Sequence, residues 1–416
     1  MKFLSYAMAQ RDTNRTEGPP LDVNVEKWVY GGRGLGRPDG HVTLVPFTLP
    51  GERVRVRAER KRPGFIEAAP VEILTPSPER TAPLCPHFTR CGGCHYQHAG
   101  YGFQLAQKRE VLRDVLRRVG KLDAPEEIGI VSSEPWEYRN RAQFHLSGGA
   151  IGFLEAGSSR LCAIERCPIS SPAINHALNA LREMIRDRRF PRFVRTIELF
   201  TNESEVQVNI LAADRPVARH FFEWCGEHFP GPAAGWLDYQ AAGDTFRVSH
   251  RSFFQVNRFL IEKLVSCAIE GAEGETALDL YAGVGLFSLG LARRFGSVAA
   301  VERGASAAGD LEFNAARASL EIQVRRGTAE EYLEKLEHAP DFVLADPPRS
   351  GLGMEVVRHL LRLRPPRLAV VACDPATLAR DLKLLTQGGY QIERLTLLDL
   401  FPQTYHIETV VRLRLP

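Results

Sequence analysis

The chain has 416 residues, of which 44% are hydrophobic and 25% charged, a composition that excludes a mostly disordered chain and fits two or three globular domains. The 53 Lys and Arg residues nearly balance the 50 Asp and Glu residues, so any affinity for nucleic acid must come from local basic patches. No apolar run approaches the roughly twenty residues of a membrane span, and residues 1–20 predict a disordered polar tail without a secretory signal. We therefore expect a cytoplasmic protein and take a monomer as the default.

Residues 21–78 predict a small closed β-barrel. Short stretches of alternating or apolar residues are separated by turns that are rich in Gly and Pro, and the stretch 31–36 is predicted to be one of these turns. The predicted strands are 23–29, 41–47, 52–57, 65–68 and 71–74.

A basic stripe lies on one predicted strand of this barrel. Arg53, Arg55 and Arg57 share one face of the strand, and the basic residues 60–62 follow directly. Such a stripe suits phosphate groups, but a charged edge strand that resists aggregation has the same pattern.

Residues 79–250 predict an α+β central domain that begins with a cysteine-rich loop and a helix from Tyr101 to about Val119. Closely spaced thiols in a chain without an export signal indicate a metal site rather than disulfides. The spacing alone leaves zinc and an iron–sulfur cluster open. The candidate ligands are Cys85, Cys91 and Cys94, with Cys162 or Cys167 as a fourth thiolate, and His87 or His95 if the metal is zinc.

From residue 251 onward, helices alternate with apolar strands, which predicts a doubly wound, Rossmann-like parallel sheet. Ligands of such sheets bind beyond the carboxyl ends of the strands. The predicted strands are 277–281, 297–301, 341–345 and 367–372.

Three features at the carboxyl ends of these strands predict a nucleoside cofactor. The stretch Asp279–Gly285 is a Gly-rich turn that lets the backbone approach a ligand, and Glu302 lies where a carboxylate accepts hydrogen bonds from ribose hydroxyls. NAD enzymes share both features. The loop Asp346–Arg349, with two consecutive prolines after a strand, favours S-adenosylmethionine over NAD, because methyltransferases acting on planar bases or amino groups commonly carry such a loop.

Cys373 follows the last of these strands at the start of a predicted helix, a position that favours a reactive thiolate over a structural cysteine. A thiolate beside a methyl donor suits C5 of uracil, which becomes nucleophilic after sulfur adds to C6. Removal of the C5 proton then needs a base. Glu408 is the candidate, with His406 as its rival because strand alternation puts both residues on one side.

In chain order these segments resemble the RNA uridine C5-methyltransferase family, over nearly the whole chain from about residue 20. The matching segments are Ser252–Asn257, Asp279–Gly285, Glu302, Asp346–Arg349, Cys373–Thr377 and Phe401–Glu408. The resemblance implies that Cys373 is the nucleophile and Glu408 the base. It also implies a pocket for S-adenosylmethionine lined by Gln255, Tyr281, Gly283, Gly285, Glu302 and Asp346.

The resemblance extends to the other predicted domains. The barrel, with Leu49–Glu52, resembles a TRAM domain, an OB-like RNA-binding module, and Tyr138–Arg141 resembles the start of the family's central domain, whose arginines are candidates for contacting RNA phosphate or forming salt bridges. Subgroups with this cysteine pattern bind a [4Fe–4S] cluster, and Arg166–Ile169 resembles the context of the remote ligand. The resemblance therefore implies the ligands Cys85, Cys91, Cys94 and Cys167.

These features predict an S-adenosylmethionine-dependent enzyme that methylates C5 of a uridine in RNA, with 23S ribosomal RNA preferred over transfer RNA. The rival hypotheses are an RNA-binding protein without activity and an enzyme that methylates amino groups without covalent catalysis. Leu286 and Thr328 depart from the family, whose members have asparagines at these positions.

Overall fold

The computed structural model describes residues 19–232 and 235–416, so the predicted tail lies almost wholly outside the described residues. The described chain forms two compact units. One comprises the residues up to Leu112 together with Gln403–His406, and the other comprises Arg113–Pro402 and Ile407–Pro416. The predicted division at residues 78 and 250 stays a prediction. No helix of the described residues has both the length and the apolar character needed to cross a membrane.

The first unit contains a six-stranded sheet with the order β1-β5-β6-β4-β3-β2. The two edge strands of this sheet, β1 and β2, are neighbours in the sequence. β1 pairs with β5 at one edge, and β2 pairs with β3 at the other. The strands are β1 (Leu21–Asn24), β2 (Lys27–Val29), β3 (Arg33–Gly36), β4 (Thr43–Pro46), β5 (Arg53–Arg62) and β6 (Phe65–Thr75).

Two details of this sheet differ from the prediction. The Gly-rich stretch 31–36 is not only a turn, because β3 occupies its last four residues, and Gly34 and Gly36 there leave no space for a side chain. The predicted strands 65–68 and 71–74 form one continuous strand, β6, although Pro70 lies between them. The irregular register of β6 against β5 accommodates the proline.

A buried ion pair anchors the turn Leu49–Glu52. The carboxylate of Glu52, which is 1% exposed, accepts hydrogen bonds from the backbone N–H groups of Leu49 at 2.8 Å and Ser77 at 3.2 Å. Arg80 Nη2 donates to the same carboxylate at 2.7 Å. Because removal of one partner would leave a buried charge unpaired, this pair fixes the connection that follows β6.

The second unit begins within helix α1 (Tyr101–Val115), which continues as a π-helical turn at Leu116–Gly120 and matches the predicted helix. An antiparallel five-stranded sheet with the order β10-β9-β8-β11-β12 follows, together with a hairpin of β13 and β14. Their bounds are β8 (Arg141–Ser147), β9 (Ala150–Leu154), β10 (Leu161–Ala163), α2 (Pro172–Met184), β11 (Val194–Thr201), β12 (Val206–Ala213), α3 (Arg219–Gly226), β13 (Trp236–Ala241) and β14 (Asp244–Ser249).

The predicted doubly wound sheet is confirmed as an eight-stranded sheet with the order β17-β16-β15-β18-β19-β21-β20-β7. All neighbouring pairs are parallel except those that involve β21. The strands are β7 (Gly129–Val131), β15 (Gly274–Leu280), β16 (Phe295–Glu302), β17 (Gln323–Arg326), β18 (Phe342–Ala345), β19 (Arg367–Ala372), β20 (Gln391–Leu398) and β21 (Glu408–Arg414). The helices are α4 (Ile261–Ile269), α5 (Ser288–Ala292), α6 (Ala305–Arg317), α7 (Ala329–Lys335), α8 (Gly353–Leu363) and α9 (Pro375–Gln387).

The strand order reverses between β15 and β18. From β15 the chain proceeds outward through β16 and β17, and from β18 it proceeds the other way to β19. The crevice at such a switch point, beyond the carboxyl ends of the strands, is where ligands of this architecture bind. Edge strand β7 comes from the segment predicted to belong to the central domain, yet it pairs with β20 of this sheet.

Candidate active site

The turn after β15 has the backbone conformation that a close approach to a ligand requires. Tyr281, Gly283 and Gly285 have φ values of 64°, 55° and 93°, which lie in the left-handed region. A Cβ added at Gly285 would stand 3.1 Å from side-chain atoms of both Leu289 and Leu311, so glycine is needed there for packing as well as for conformation. For Tyr281 the same conformation is uncommon, and such strain clusters at ligand-binding sites.

Glu302 ends β16 and links this turn to the start of α6. Its carboxylate accepts hydrogen bonds from the backbone N–H of Gly283 at 2.9 Å and from that of Gly304. Leu280 of β15 pairs with Val301 of β16, so the next residues along the two chains, Tyr281 and Glu302, lie at the same end of the sheet. A half-buried carboxylate held by two backbone donors retains lone pairs for further hydrogen bonds, and the role of Glu302 toward ribose hydroxyls stays a prediction.

Two further carboxyl groups are buried beside this turn. Burial is the main cause that raises the pKa of Asp279 to about 7, and the neighbouring carboxylates of Asp346 and Glu302 add to it. Burial likewise raises the pKa of Asp346 to about 7. Asp279 Oδ1 has no hydrogen-bond partner among the described residues, while Ser288 Oγ donates to Oδ2. Sequence reasoning placed Asp279 in the Gly-rich motif but did not assign it to the site.

This electrostatic environment fits S-adenosylmethionine. Its sulfonium and ammonium groups carry positive charge, which compensates buried carboxylates that have no cationic partner close by. The orphaned oxygen of Asp279 also offers an acceptor for a ligand donor. The roles of the turn glycines and of Glu302 in holding the cofactor stay predictions.

Gln255 reaches the same carboxylates from the segment before the sheet. Its Nε2 donates to Asp346 Oδ2 at 3.4 Å. The preceding residues are fixed by Asp310 on α6, which is 1% exposed and accepts from the Ser249 N–H at 2.8 Å and from Ser252 Oγ at 2.5 Å. Asp310 therefore positions Gln255, although no sequence motif singled it out.

Of the two roles predicted for the arginines of residues 138–141, Arg141 forms the salt bridge, although the pair is buried rather than on the surface. Its guanidinium pairs with the buried Glu198 at 2.8 Å and donates to the carbonyl oxygen of Ser252 at 2.9 Å. Its role is to support the segment that carries Gln255.

Cys373 directly follows β19, and Glu408 is the first residue of the neighbouring strand β21. Ala372, the last residue of β19, pairs in antiparallel register with Thr409 of β21. Cys373 and Glu408 come next after this last pair, and they are close enough for the Glu408 carboxyl to raise the pKa of the Cys373 thiol. The nucleophile and base predicted from the sequence are thus brought together.

The prediction that the helix start favours a thiolate at Cys373 is wrong for the ligand-free protein. Burial raises the pKa of this half-buried thiol to about 12, and the nearby Glu408 and Asp346 carboxyls raise it further, while Arg349 opposes them. The N-terminus of α9 gives little help, because the Asp374 side chain already accepts from the N–H groups of Ala376 and Thr377 at 2.9 and 3.0 Å.

Glu408 is 5% exposed, and burial raises its pKa well above the usual value, with a further contribution from Asp346 and an opposing one from Arg349. Its rival His406 belongs to the other compact unit. Strand β21 begins at Glu408, so strand alternation does not extend back to His406. The His406 ring packs against Tyr405, with ring centroids 4.3 Å apart.

The loop that carries Arg349 is held by the helix that follows Cys373. Thr377 Oγ1 donates to the Arg349 carbonyl oxygen at 3.2 Å, and Arg380 Nη2 donates to that of Ser350 at 2.8 Å. The Asp381 carboxylate accepts from the Leu352 N–H at 2.7 Å. Helix α9 thus couples the position of Arg349 to that of the nucleophile.

The two departures from the family have structural roles in this chain. Leu286 is 7% exposed and belongs to the main hydrophobic core of the second unit. Thr328 caps helix α7: its Oγ1 accepts from the Glu331 N–H at 3.2 Å, and the Glu331 carboxylate accepts from the Thr328 N–H.

The predicted cluster ligands lie in both units. Cys85, Cys91 and Cys94 are half-buried in turns of the first unit, where the Gly93 N–H donates to Cys91 Sγ at 3.4 Å. In the second unit, Cys162 is buried in β10, and the backbone of Cys167 is fixed by the Asn175 side chain. Among the described residues, no three His, Cys, Asp or Glu side chains are grouped so as to hold a metal ion.

Comparisons with known proteins identify the family. An RNA methyltransferase of Aquifex aeolicus, described as uncharacterized, is 32% identical over 95% of this chain and 98% of its own length. The 23S rRNA (uracil(1939)-C(5))-methyltransferase RlmD of Halomonas elongata is 33% identical over 95% of this chain and 89% of its own. The chain belongs to the RNA uracil-C5 methyltransferase family. The tRNA (Uracil-5-)-methyltransferase family model matches residues 237–415.

A solved structure agrees with this assignment to the uracil-C5 methyltransferases. The Pyrococcus abyssi tRNA (uracil-54, C5)-methyltransferase in complex with S-adenosyl-L-homocysteine matches with a TM-score of 0.76 and 26% identity, over 94% of this chain and 99% of its own. The predicted family, fold class and enzyme class are therefore confirmed: the protein is an S-adenosylmethionine-dependent RNA methyltransferase that acts on C5 of uracil.

Proposed function

We propose that the protein methylates C5 of one uridine in 23S ribosomal RNA through a covalent bond between Cys373 Sγ and C6 of the uracil ring. The observation that carries the covalent route is the proximity of Cys373 and Glu408, which come next after the last strand pair Ala372–Thr409 and interact electrostatically. Relatives named as 23S rRNA methyltransferases, at 33% identity, support the ribosomal target. Transfer RNA is the alternative, supported by the structural match at 26% identity.

The proposed reaction uses the two residues in succession. The Cys373 thiolate adds to C6, and the electron pair of the C5=C6 bond moves to C5 and the O4 enolate. S-adenosylmethionine supplies the electrophilic methyl group for C5 and leaves as the neutral thioether. The Glu408 carboxylate then removes the C5 proton, the C5=C6 bond re-forms and the thiolate departs. The enzyme regains its initial state once Glu408 has released this proton to solvent.

Arg349 favours the negatively charged forms of both Cys373 and Glu408 in this proposal. Its positive charge lowers the pKa values of Cys373 and Glu408 against the effects of burial. A guanidinium at this position stabilises the thiolate before addition and the enolate after it. Binding of a cationic cofactor next to Asp346 works in the same direction, because it offsets a carboxyl group that raises both pKa values.

The target uridine must leave its stack to reach Cys373, as in other enzymes that act on bases. Phe253, two residues before Gln255, is 61% exposed and offers a ring on which an unpaired base can stack. The TRAM-like barrel is the proposed RNA-binding module. Of its basic stripe, Arg53 and Arg55 each pair with Asp22 at 3.0 Å, so we assign phosphate contacts to Arg57 and the exposed residues 60–62.

We further propose that Cys85, Cys91, Cys94 and Cys167 hold a [4Fe–4S] cluster with a structural role, because methyl transfer needs no redox step. Support comes from the sequence spacing, from the resemblance, and from the backbone donor on Cys91 Sγ, a type of bond that stabilises ligating sulfur. Iron and sulfide analysis after anaerobic purification tests it, and stoichiometric zinc would contradict it. We place the protein, as a monomer, in the cytoplasm with its substrate.

Trapping with 5-fluorouridine RNA tests the covalent route. Fluorine cannot leave C5 as a cation, so the methylated adduct should persist as an enzyme–RNA complex that is stable in denaturant. The wild-type protein should form this complex and Cys373→Ala should not. Normal methylation by Cys373→Ala would exclude the route, and methylation of amino groups without an adduct would favour the non-covalent alternative.

A further inference from the structure

A groove on the surface of the second unit lies outside the candidate active site. It is lined by residues from two segments: 188–195, which leads from the link after α2 into the start of β11, and 214–221, which leads from the link after β12 into the first turn of α3. Five of the lining residues are arginines, and we call this surface the arginine groove. They are Arg188, Arg189, Arg192, Arg195 and Arg215.

The arginine groove carries excess positive charge. Among its lining residues, all of which the structure describes, Asp214 is the one acidic side chain, and it pairs with Arg195 at 2.7 Å. Arg189 pairs with the adjacent Asp187 at 2.9 Å. The three exposed guanidinium groups of Arg188, Arg192 and Arg215 have no carboxylate partner among the described residues.

Aromatic rings hold two of the guanidinium groups. The Arg215 guanidinium lies over the Phe193 ring at 4.2 Å from its centroid, and that of Arg189 lies over Trp224 at 4.5 Å. A stacked guanidinium keeps its N–H edge available for phosphate, and less side-chain entropy is lost when a ligand binds. Two of the guanidinium groups that face the groove are therefore held in place before an anion binds.

The start of α3 adds to the positive electrostatic potential of the arginine groove. Ala218, its N-cap residue, provides no side-chain hydrogen bond to the first N–H groups, and it lines the groove together with His220. Uncapped N–H groups and the positive end of the helix dipole favour a negative ligand.

We propose that the arginine groove binds the phosphate backbone of the substrate RNA, as a contact separate from the TRAM-like barrel and from the site around Cys373. The proposal rests on the proposed function, which supplies a polyanionic substrate of sufficient length. A groove lined by several guanidinium groups without carboxylate partners suits the phosphates of an RNA backbone, which position an RNA without reading its sequence. An acidic protein partner is the competing occupant.

The test compares two triple variants that lose equal charge. The groove variant is Arg188→Ala/Arg192→Ala/Arg215→Ala, and the control is Arg117→Ala/Arg118→Ala/Arg358→Ala, which removes exposed arginines elsewhere in the same unit. The dissociation constant of a full-length 23S rRNA transcript is measured over a series of KCl concentrations. The kcat and KM of methyl transfer to the same transcript are measured at one salt concentration.

For the groove variant we expect the slope of log K against log salt to fall by about one unit per arginine, and the affinity at low salt to fall at least ten-fold. KM should rise while kcat is unchanged, because the groove does not touch the reacting atoms. The control should keep the wild-type slope. Arg188→Glu/Arg192→Glu, which preserves the stacking of Arg215 on Phe193, should weaken binding further.

Equal slopes and equal KM values for the groove and control variants would overturn the proposal and leave the groove to a protein partner. Failure of the proposed function gives a different result: wild-type protein would not methylate the transcript at all, while the comparison of binding slopes would still decide whether the groove contacts RNA.

Discussion

The Asp381 carboxylate on α9 accepts a hydrogen bond from the backbone N–H of Leu352 at 2.7 Å. Leu352 follows the loop that carries Arg349, and Asp381 lies two turns beyond Cys373 on the helix that starts beside it. The Asp381 carboxylate therefore ties the loop that carries Arg349 to the helix that follows Cys373. Burial raises the pKa of Asp381, while its bonds to Arg380 and Leu352 oppose that rise.

This relationship predicts that Asp381→Ala lowers kcat. Loss of the acceptor loosens the loop, which keeps its bonds from Thr377 and Arg380, and a displacement of Arg349 by about 1 Å can cost on the order of 100-fold in rate. The affinity for S-adenosylmethionine should change little. Covalent trapping on 5-fluorouridine RNA should slow in parallel with kcat, and Asp381→Asn, which retains an acceptor oxygen, should recover part of the rate. If Asp381→Ala loses only thermal stability and traps at the wild-type rate, Asp381 does not position Arg349.

Glu408→Gln should stop turnover after the methyl group has been transferred. The amide cannot accept the C5 proton, so the methylated adduct with Cys373 should accumulate on ordinary uridine RNA, with multiple turnover lowered by roughly 100- to 10,000-fold. Gel electrophoresis in denaturant, with a radiolabelled methyl group, detects this adduct. The double variant Cys373→Ala/Glu408→Gln is the matched control and should give no adduct. Full turnover by Glu408→Gln would assign the base to another residue.

Binding of S-adenosylmethionine should depend on pH near neutrality. The pKa values of Asp279 and Asp346 are raised to about 7 in the ligand-free protein, so both carboxyls gain protons as the pH falls below 7. A cationic ligand favours the ionised forms, so binding releases protons, and affinity should rise with pH up to about 7 and level off above it. Calorimetry in buffers of different ionisation enthalpy measures the released protons. Asp346→Asn should reduce the release, and an identical release in this variant would contradict the assignment.

The positions of most site residues could be predicted from the sequence, because the topology determines them. In a parallel sheet the carboxyl ends of all strands meet at one edge, so the residues that follow the predicted strands must converge. Tyr281, Asp346 and Cys373 follow such strands, and Glu302 is the last residue of one. The position of Glu408 beside Cys373 does not follow from this rule. β21 is antiparallel to β19, and no local sequence pattern encodes that the two strands are neighbours.

Burial and charge environment could not be predicted in the same way. Arg141 looks like any surface arginine in the sequence, and only the fold brings Glu198 and the Ser252 carbonyl oxygen to it. The thiol pKa of Cys373 was misjudged for the same reason: the helix start was visible in the sequence, whereas the Asp374 cap and the buried carboxyl groups were not. Local patterns report conformation, but electrostatics depends on neighbours that are distant in the chain.

Thr328 gives a prediction that separates stability from cofactor binding. Its side chain and that of Glu331 form a capping box at α7, so Thr328→Ala should lower the free energy of unfolding by roughly 1 kcal/mol. The affinity for S-adenosylmethionine should stay unchanged, because Thr328 already uses its hydroxyl as a cap acceptor. Denaturant unfolding and calorimetry measure the two quantities, and Thr328→Ser, which keeps the acceptor, is the control. A loss of cofactor affinity with unchanged stability would mean that the hydroxyl contacts the cofactor, as the family's asparagine at this position is expected to do.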